Sequence, residues 1–261
     1  MIVAVDQSDI GLIGLAASSI LVALTVAISL VRRLGIARDV IVAAAQALVQ
    51  LLIVGFALRL VVDEDDPLIF SCIWLVVMVV FAAWTVGRRA PDIAGVRALA
   101  LVAFSLALLV TLGVLLGFGA FEPTGRAIVP LAGMVVGNSL AATVLAARRV
   151  MAEAHDQADQ IEARLALGMS STDAFAPELR AAIRDALVPQ IERTKAVGVV
   201  FLPGAMVGLI LAGADPVDAV LVQVAVMYLI LGSVSTTTTV MAIGLSRRLF
   251  TPADQLIRQN P

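Results

Sequence analysis

The sequence predicts an all-α polytopic membrane protein with about seven transmembrane helices, and its composition decides this class. Hydrophobic residues make up 61% of the chain and charged residues 15%, against about 25% charged in soluble domains. Several uninterrupted apolar runs also reach the roughly 20 residues that a helix needs to cross a bilayer. A soluble chain of 261 residues could not bury that much apolar surface.

The apolar runs define the candidate spans in chain order. The first run is expected to be a retained helix, because "MIVAVDQSDI" lacks the positively charged start of a signal peptide. The sixth run contains Pro203, which removes a hydrogen bond from a helix. We therefore expect that span to be kinked or partly broken, and it is a candidate gate. The expected boundaries are approximately 10–31, 40–62, 68–86, 96–118, 127–147, 197–213 and 218–245.

The charges of the loops predict the orientation of the chain. Basic loops follow the first, third, fifth and seventh spans, and acidic or neutral loops lie between them; Arg59 and Arg126 are the exceptions. Basic residues stay on the cytoplasmic side, so we expect the N-terminus outside and the C-terminus inside. The basic loop residues are Arg32, Arg33, Arg38, Arg88, Arg89, Arg97, Arg148, Arg149, Arg247 and Arg248.

A charged insert at 149–195 separates the fifth and sixth spans and is expected to be cytoplasmic. Its first part, "RRVMAEAHDQADQIEARLAL", has no helix breaker and is followed by Gly168, a residue typical of the position after a helix. Its second part has Pro177 near the start of a helix. Leu179, Ile183, Leu187 and Ile191 follow at i, i+4 spacing on one face. We therefore expect a helical hairpin between the fifth and sixth helices.

The stretch "EARLALG" at the end of the first helix resembles the coupling loop of ABC transporter permeases. In that loop a Glu-Ala-Ala pattern that ends in Gly docks on a separate ATPase subunit. The matching residues are Glu162, Ala163, Ala166 and Gly168, and the third residue is Arg164 where the pattern has Ala. The resemblance implies that these residues couple the chain to an ATPase. The alternative is an ordinary amphipathic helix pair that lies on the membrane surface.

Three longer stretches carry a second resemblance, which covers nearly the whole chain. They are "DVIVAAAQALVQLLIVGFAL", "PLAGMVVGNSLAATVLAARR" and "KAVGVVFLPGAMVGLILAGADPVDAVLVQVAVMYLI". These stretches look like the FetB family of iron-export ABC permeases, to which plant aluminium-tolerance permeases also belong. The resemblance implies that 1–261 is a single transmembrane permease domain of an ATP-driven exporter.

A few polar and sulfur-containing side chains inside the spans are candidates for a substrate pathway. Amides in hydrocarbon need a partner or a water-lined cavity, so pathway lining and interhelical hydrogen bonding both remain open for them. Thioethers suit soft metals better than hard ones, and Met134 and Met206 are weak candidates for a metal ligand. The candidate pathway residues are Gln46, Gln50, Met134, Asn138, Ser139, Pro203 and Met206.

The expected function is that of a membrane-spanning permease subunit of an ABC exporter for iron or another metal. The sequence contains no phosphate-binding loop of the form G-x-x-x-x-G-K-[ST], so no catalysis and no cofactor are expected in this chain, and ATP belongs to a partner ATPase. Two nucleotide sites require two docking elements, which indicates a homodimer in the plasma membrane. No nucleic-acid partner is expected. A secondary transporter, a channel-like protein and an ABC permease for a non-metal substrate remain alternatives.

Overall fold

Ten helices follow one another in residues 12–61, 68–119 and 121–257, which are the residues that this computed structural model describes. The chain divides into two units, Met1–Asp65 and Asp66–Pro261. The helices are α1 (Leu12–Val31), α2 (Ala37–Val61), α3 (Ile69–Arg89), α4 (Val96–Gly117), α5 (Gly125–Asp156), α6 (Ala158–Ala166), α7 (Ser171–Ala174), α8 (Ala176–Ala196), α9 (Gly204–Leu211) and α10 (Pro216–Ser246).

The first unit is a hairpin of α1 and α2, which pack against each other. The chain turns between them through Arg33 and Gly35, whose φ angles are 52° and 75°. These values lie in the left-handed region, where a glycine carries no steric penalty. The amide of Leu34 donates a hydrogen bond to the carbonyl of Ser29 at 2.9 Å, which closes the end of α1.

The second unit is organised around α10. This helix packs against α4, α5, α8 and α9, while α3 packs against α4 and α5. The core consists of fully buried side chains from these helices, among them Phe104, Val135, Val234 and Met241. Because much of this interior is lined by alanine and valine, the helices approach one another closely.

Five helical segments in the described residues are long and apolar enough to cross a membrane. They correspond to the second, third, fourth, fifth and seventh predicted spans. The first predicted span begins at residues 10 and 11, outside the described residues, and α1 contributes the shorter apolar segment Ala17–Val31. The five segments are Ala37–Gly55, Ile69–Arg89, Val96–Gly117, Ala127–Asp156 and Pro216–Ser246.

The predicted sixth span, 197–213, is not one continuous helix, and the break expected at Pro203 is present. The chain from Val197 to Pro203 is not helical, and α9 has 8 residues, which correspond to about 12 Å of helix. Gly198 has a φ of 88°, and Val197 forms an isolated bridge with Phe201. The left-handed glycine and the missing amide hydrogen of Pro203 together end the helix here. Hydropathy alone could not distinguish this apolar turn from a continuous helix.

The insert is helical and is connected to the helix bundle of the second unit. The fifth span continues as α5 to Asp156 and is followed after one residue by α6, so no loop separates the span from the insert. Beyond the turn at Gly168, α8 packs along α5 and α10. The insert is thus continuous with the helix bundle of the second unit, while its cytoplasmic location stays a prediction.

The buried face of α8 lies beside the apolar face that the sequence predicts. The buried residues are Glu178, Ala182, Ala186 and Gln190, whereas Ile191 is exposed and Leu179, Ile183 and Leu187 are half-buried at the sides. Small side chains in the centre let α8 lie close to α5 and α10, and the leucines and isoleucine flank that contact. The predicted i, i+4 apolar face is therefore present, and the centre of the buried contact lies one position before it.

Candidate functional site

A cavity of about 360 Å³ lies between α5, α8, α10 and the turn that precedes α9. It is within the 300–1,000 Å³ range of pockets that hold small molecules. It brings two predicted pathway residues of α5 together with residues from the turn, from α8 and from α10. Its lining includes Met134, Asn138, Gln190, Arg193, Pro203, Gln223 and Met227.

The wall of this cavity exists because the chain between α8 and α9 is not a helix. The amide of Gly198 donates to the carbonyl of Phe201 at 2.9 Å, which folds the segment into a tight turn. Pro203 then starts α9 in an extended conformation, with φ −64° and ψ 141°. Irregular backbone at the depth of a membrane is tolerated where it is buried in protein or lines a cavity, and this turn lines one.

The amides of the cavity differ in how well their hydrogen bonds are satisfied. The Nδ2 of Asn138 donates to the carbonyl of Met134 at 2.8 Å, and the Nε2 of Gln190 donates to the Thr194 hydroxyl at 3.4 Å. The Oε1 of Gln223 has no hydrogen-bond partner in the described part of the chain, although this residue is only 5% exposed. A buried acceptor without a donor is rare in proteins and calls for an explanation.

A second cavity, of about 400 Å³, adjoins the first. It is lined by Met206 and Tyr228, and it shares Pro203, Gln223 and Met227 with the first cavity. The two methionines predicted from sequence, Met134 and Met206, thus lie in neighbouring cavities. The turn at Pro203 and the amide of Gln223 form part of both walls.

Three predicted pathway residues are not among those that line either cavity. Ser139 is fully buried between α5 and α10, where its hydroxyl donates to the Ser233 hydroxyl at 3.2 Å. Gln46 and Gln50 lie one turn apart on α2 in the first unit, with exposed side chains. The structure therefore unites Met134, Asn138 and Pro203 in one cavity and places Ser139 in a helix contact.

Sequence reasoning missed three of the polar cavity residues. Gln190 and Arg193 belong to the insert, which the sequence analysis assigned to partner docking. Gln223 lies in the second turn of α10, where a single amide was a weak signal. The sequence did contain a signal for Gln223, which is an amide in an apolar helix that directly follows the span broken at Pro203. In a membrane protein, both a polar side chain and a broken helix indicate surroundings of protein or water rather than lipid.

The hairpin of the insert turns at Gly168, as predicted. This residue has a φ of 87°, its amide donates to Leu165 at 2.9 Å, and the amide of Met169 donates to Arg164 at 3.2 Å. These two bonds form a Schellman motif, the usual termination of a helix at a left-handed glycine. The predicted docking residues Ala163, Ala166 and Gly168 are exposed next to Leu167, which is 84% exposed, while Glu162 is half-buried.

Arg164 holds the hairpin together. Its guanidinium lies 2.8 Å from both carboxylate oxygens of Glu178, and it donates to the carbonyl of Ala174 at 2.7 Å. The chain beyond α10 supports the same region, because the ring of Phe250 lies 6.0 Å from that of Phe175. The amide of Ser171 donates to the carboxylate of Asp254 at 3.3 Å. The hairpin is therefore held both by the contacts of Arg164 and by the chain that follows α10.

No group of three or more His, Cys, Asp and Glu side chains with the geometry of a metal site occurs among the described residues. The polar and sulfur-containing groups that line the first cavity are amides, thioethers and one guanidinium. Such a set binds through hydrogen bonds and charge, and its thioethers suit soft metals.

Comparison with known proteins places the chain in a family. The model of an uncharacterised protein family, UPF0014, matches residues 12–250. The chain belongs to this family. Its apolar helices and its relatives, several of which are named as membrane proteins, make it a multi-pass membrane protein.

Similar proteins occur in plants and bacteria. The UPF0014 membrane protein STAR2 of Oryza sativa subsp. japonica is 33% identical over 95% of this chain and 86% of that protein. The probable iron export permease protein FetB of Escherichia coli K12 is 32% identical over 93% of both chains. The protein ALUMINUM SENSITIVE 3 of Arabidopsis thaliana is 30% identical over 94% of this chain and 90% of its own. No solved structure matches the chain.

Proposed function

We propose that this protein is the membrane-spanning permease subunit of an ABC exporter that moves iron, or another metal, with energy from a separate ATPase subunit. The observation that carries the proposal is that α8 lines a cavity inside the second unit near one end, while the Arg164–Glu178 ion pair joins its other end to the exposed hairpin tip at residues 163–168. The name of the bacterial relative, a probable iron export permease, supports the direction and the cargo.

The hairpin tip has the properties of a docking surface. Ala163, Ala166 and Gly168 have little or no side chain and Leu167 is almost fully exposed, so a partner surface can approach the backbone closely. A Cβ added at Gly168 would meet no atom of this chain within 4 Å. The requirement for glycine here thus comes from its backbone angle, and the space beside it is open to a partner.

The cavity end of α8 has the properties of a transport site. Gln190 and Arg193 lie about three to four turns beyond Glu178, and both line the cavity. The Arg164–Glu178 ion pair connects the hairpin to the first turn of α8, so we expect a movement of the tip to reach the cavity through this pair and then along α8. A homodimer follows from the single hairpin per chain, because an ABC ATPase pair needs two docking elements.

The decisive experiment is copurification of the ATPase with the permease. We expect the wild-type protein to retain an ABC ATPase in detergent and to support ATP hydrolysis, and the Ala163→Glu variant to lose both because it introduces a charge at the tip. Ala152→Glu, at an exposed alanine of α5 away from the tip, is the matched control and should keep both. Transport of iron by the permease alone in proteoliposomes would contradict the proposal and favour a secondary transporter or a channel.

A further inference from the structure

We propose that the cavity between α5, α8 and α10 binds an organic anion that carries hydroxyl groups, either alone or as its complex with a metal ion. This inference rests on the proposed permease function and names the chemical class of the substrate. It follows from one charge, one buried acceptor without a donor, and the hydrogens that the remaining amides leave available.

The charge in the cavity is positive. Among the described residues that line it, Arg193 is the only charged one, and it forms no ion pair with a carboxylate in the described part of the chain. A guanidinium presents its donors in a planar fork that matches a carboxylate or a phosphate. It repels a bare metal cation, so the charge of this cavity favours an anion.

The unpartnered acceptor indicates a donor on the ligand. The Oε1 of Gln223 is buried and lacks a hydrogen-bond partner, and an ionised carboxylate or a deprotonated phosphate oxygen has no hydrogen to donate to it. A hydroxyl group can, and so can a water molecule held by a metal ion. A site whose buried polar group is satisfied only by the ligand discriminates strongly against an analogue that lacks the donor.

The other two amides complete the site. Each side-chain amide carries two hydrogens, and the bonds of Asn138 to Met134 and of Gln190 to Thr194 use one hydrogen each. The second hydrogens are available to oxygens of an anion. Met134 and Met227 supply an apolar wall, which suits the carbon skeleton of an organic ligand better than a fully hydrated inorganic ion.

The test uses the purified full-length protein in lipid nanodiscs without any ATPase. The probes are citrate, ferric citrate, Fe²⁺ alone, and tricarballylate, which is citrate without its hydroxyl group. Binding is measured by equilibrium dialysis with labelled carbon and labelled iron. We expect saturable binding of citrate or ferric citrate, about tenfold tighter than that of tricarballylate. Carbon label bound without iron identifies the free anion as the ligand, and label bound only with iron identifies the complex.

Two variants test the assigned roles. Gln223→Leu should remove the difference between citrate and tricarballylate, because the acceptor for the hydroxyl is gone. Arg193→Glu should weaken binding of both anions by tenfold or more, and since Arg193 is exposed this variant is expected to fold. Arg184→Glu, an exposed charge reversal on the same helix that does not line the cavity, is the control and should bind as the wild type does.

The opposite results would overturn the inference. Binding of Fe²⁺ alone that increases in Arg193→Glu would show a cation site, and equal affinity for citrate and tricarballylate would show that no hydroxyl donor is recognised. These outcomes are independent of the proposed function, because no ATPase is present. If the protein binds citrate as expected but retains no ATPase, the binding site is supported and the proposed assignment to an ABC exporter is wrong.

Discussion

Arg164 and Glu178 join the two sides of the insert through a partly buried ion pair. The guanidinium nitrogen lies 2.8 Å from the carboxylate, whose side chain is 6% exposed, against 25% for that of Arg164. The position of Arg164 is the one where the coupling-loop pattern has alanine. The side chain of Arg164 turns inward and fixes the hairpin, so this departure from the pattern has a structural role within the insert.

Removal of this arginine should loosen the hairpin. Arg164→Met leaves the buried carboxylate of Glu178 without its cation, and we expect a local destabilisation of about 2 kcal/mol, below the value for a fully buried pair because Arg164 is partly exposed. Hydrogen exchange of the amides between residues 167 and 176 measures the local opening.

Two further variants serve as controls for the ion pair. The double variant Arg164→Met/Glu178→Met should recover part of the loss, because no charge is left buried. Lys195→Met removes an exposed pair with Glu192 and should change stability by less than about 0.5 kcal/mol. If the single and the double variant exchange equally fast, the carboxylate does not depend on Arg164.

The backbone angle at Gly168 gives a prediction for the docking tip. Gly168→Val forces a β-branched residue into a left-handed conformation at a cost of about 1 to 2 kcal/mol, and we expect loss of ATPase copurification from a protein that still inserts and dimerises. Gly168→Asn is the matched variant, since asparagine tolerates this conformation, and it should retain the ATPase. Equal behaviour of the two variants would mean that size at the tip, and not backbone geometry, decides docking.

Much of the architecture can be predicted from the sequence, because long apolar runs and glycine-containing turns are determined by residues that are close together in the chain. The helices that can span the membrane and the turn at Gly168 were predicted this way. The packing of α8 was not, because in a chain rich in leucine the buried stripe is decided by which residues are small enough for close approach. Ala182 and Ala186 carry less apolar surface than their neighbours, yet they occupy the centre of the contact.

The cavity could be predicted only in part for a related reason. Asn138 and Met134 share a helix face, and Pro203 marks a break, so these residues were visible in the sequence. Gln190 and Arg193 come from a helix that sequence reasoning placed outside the bundle. Their meeting with Gln223 depends on the long-range packing of α8 against α10, for which a single sequence contains no periodic signal.

The orientation of the chain can be tested with single cysteines. In a Cys72→Ala background, which removes the exposed native thiol, we expect a cysteine at Asp173 to be labelled from the cytoplasmic side and one at Glu64 from the outside. Glu64 lies outside the described residues, and its position is predicted from the loop charges. Labelling of both cysteines from the same side would disprove the predicted orientation of the chain.

Substitutions of the neighbouring residues Asn138 and Ser139 on α5 distinguish a role in the transport pathway from a role in helix packing. Asn138→Leu removes an amide from the cavity and should lower the ATP hydrolysis stimulated by ferric citrate while the complex still assembles. Gln50 on α2 does not line this cavity, and the same measurement on Gln50→Leu tests the prediction, made from sequence, that this amide also lines a pathway. Ser139→Ala removes the buried bond to Ser233 and should lower stability by about 1 kcal/mol with stimulation unchanged. Stimulation that is normal in both leucine variants would assign these amides to packing.

The position of α8 between the hairpin and the cavity leads to a prediction about coupling itself. The helix has 21 residues and is about 30 Å long, and between the hairpin and the cavity its contact with the bundle depends on Ala182 and Ala186. Ala186 is 1% exposed, so Ala186→Leu overpacks this contact at a cost of about 1 to 3 kcal/mol and moves the helix away from α5 and α10.

The docking tip is unchanged in Ala186→Leu, so we expect the ATPase to copurify and to hydrolyse ATP at its basal rate. Stimulation by ferric citrate should be lost, because the tip and the cavity no longer move together. Val188→Leu adds bulk at a position of the same helix that is 42% exposed, and it should leave stimulation intact. If Ala186→Leu lost the ATPase as well, α8 would act as a scaffold for the tip; if stimulation persisted, the signal would reach the cavity by another route.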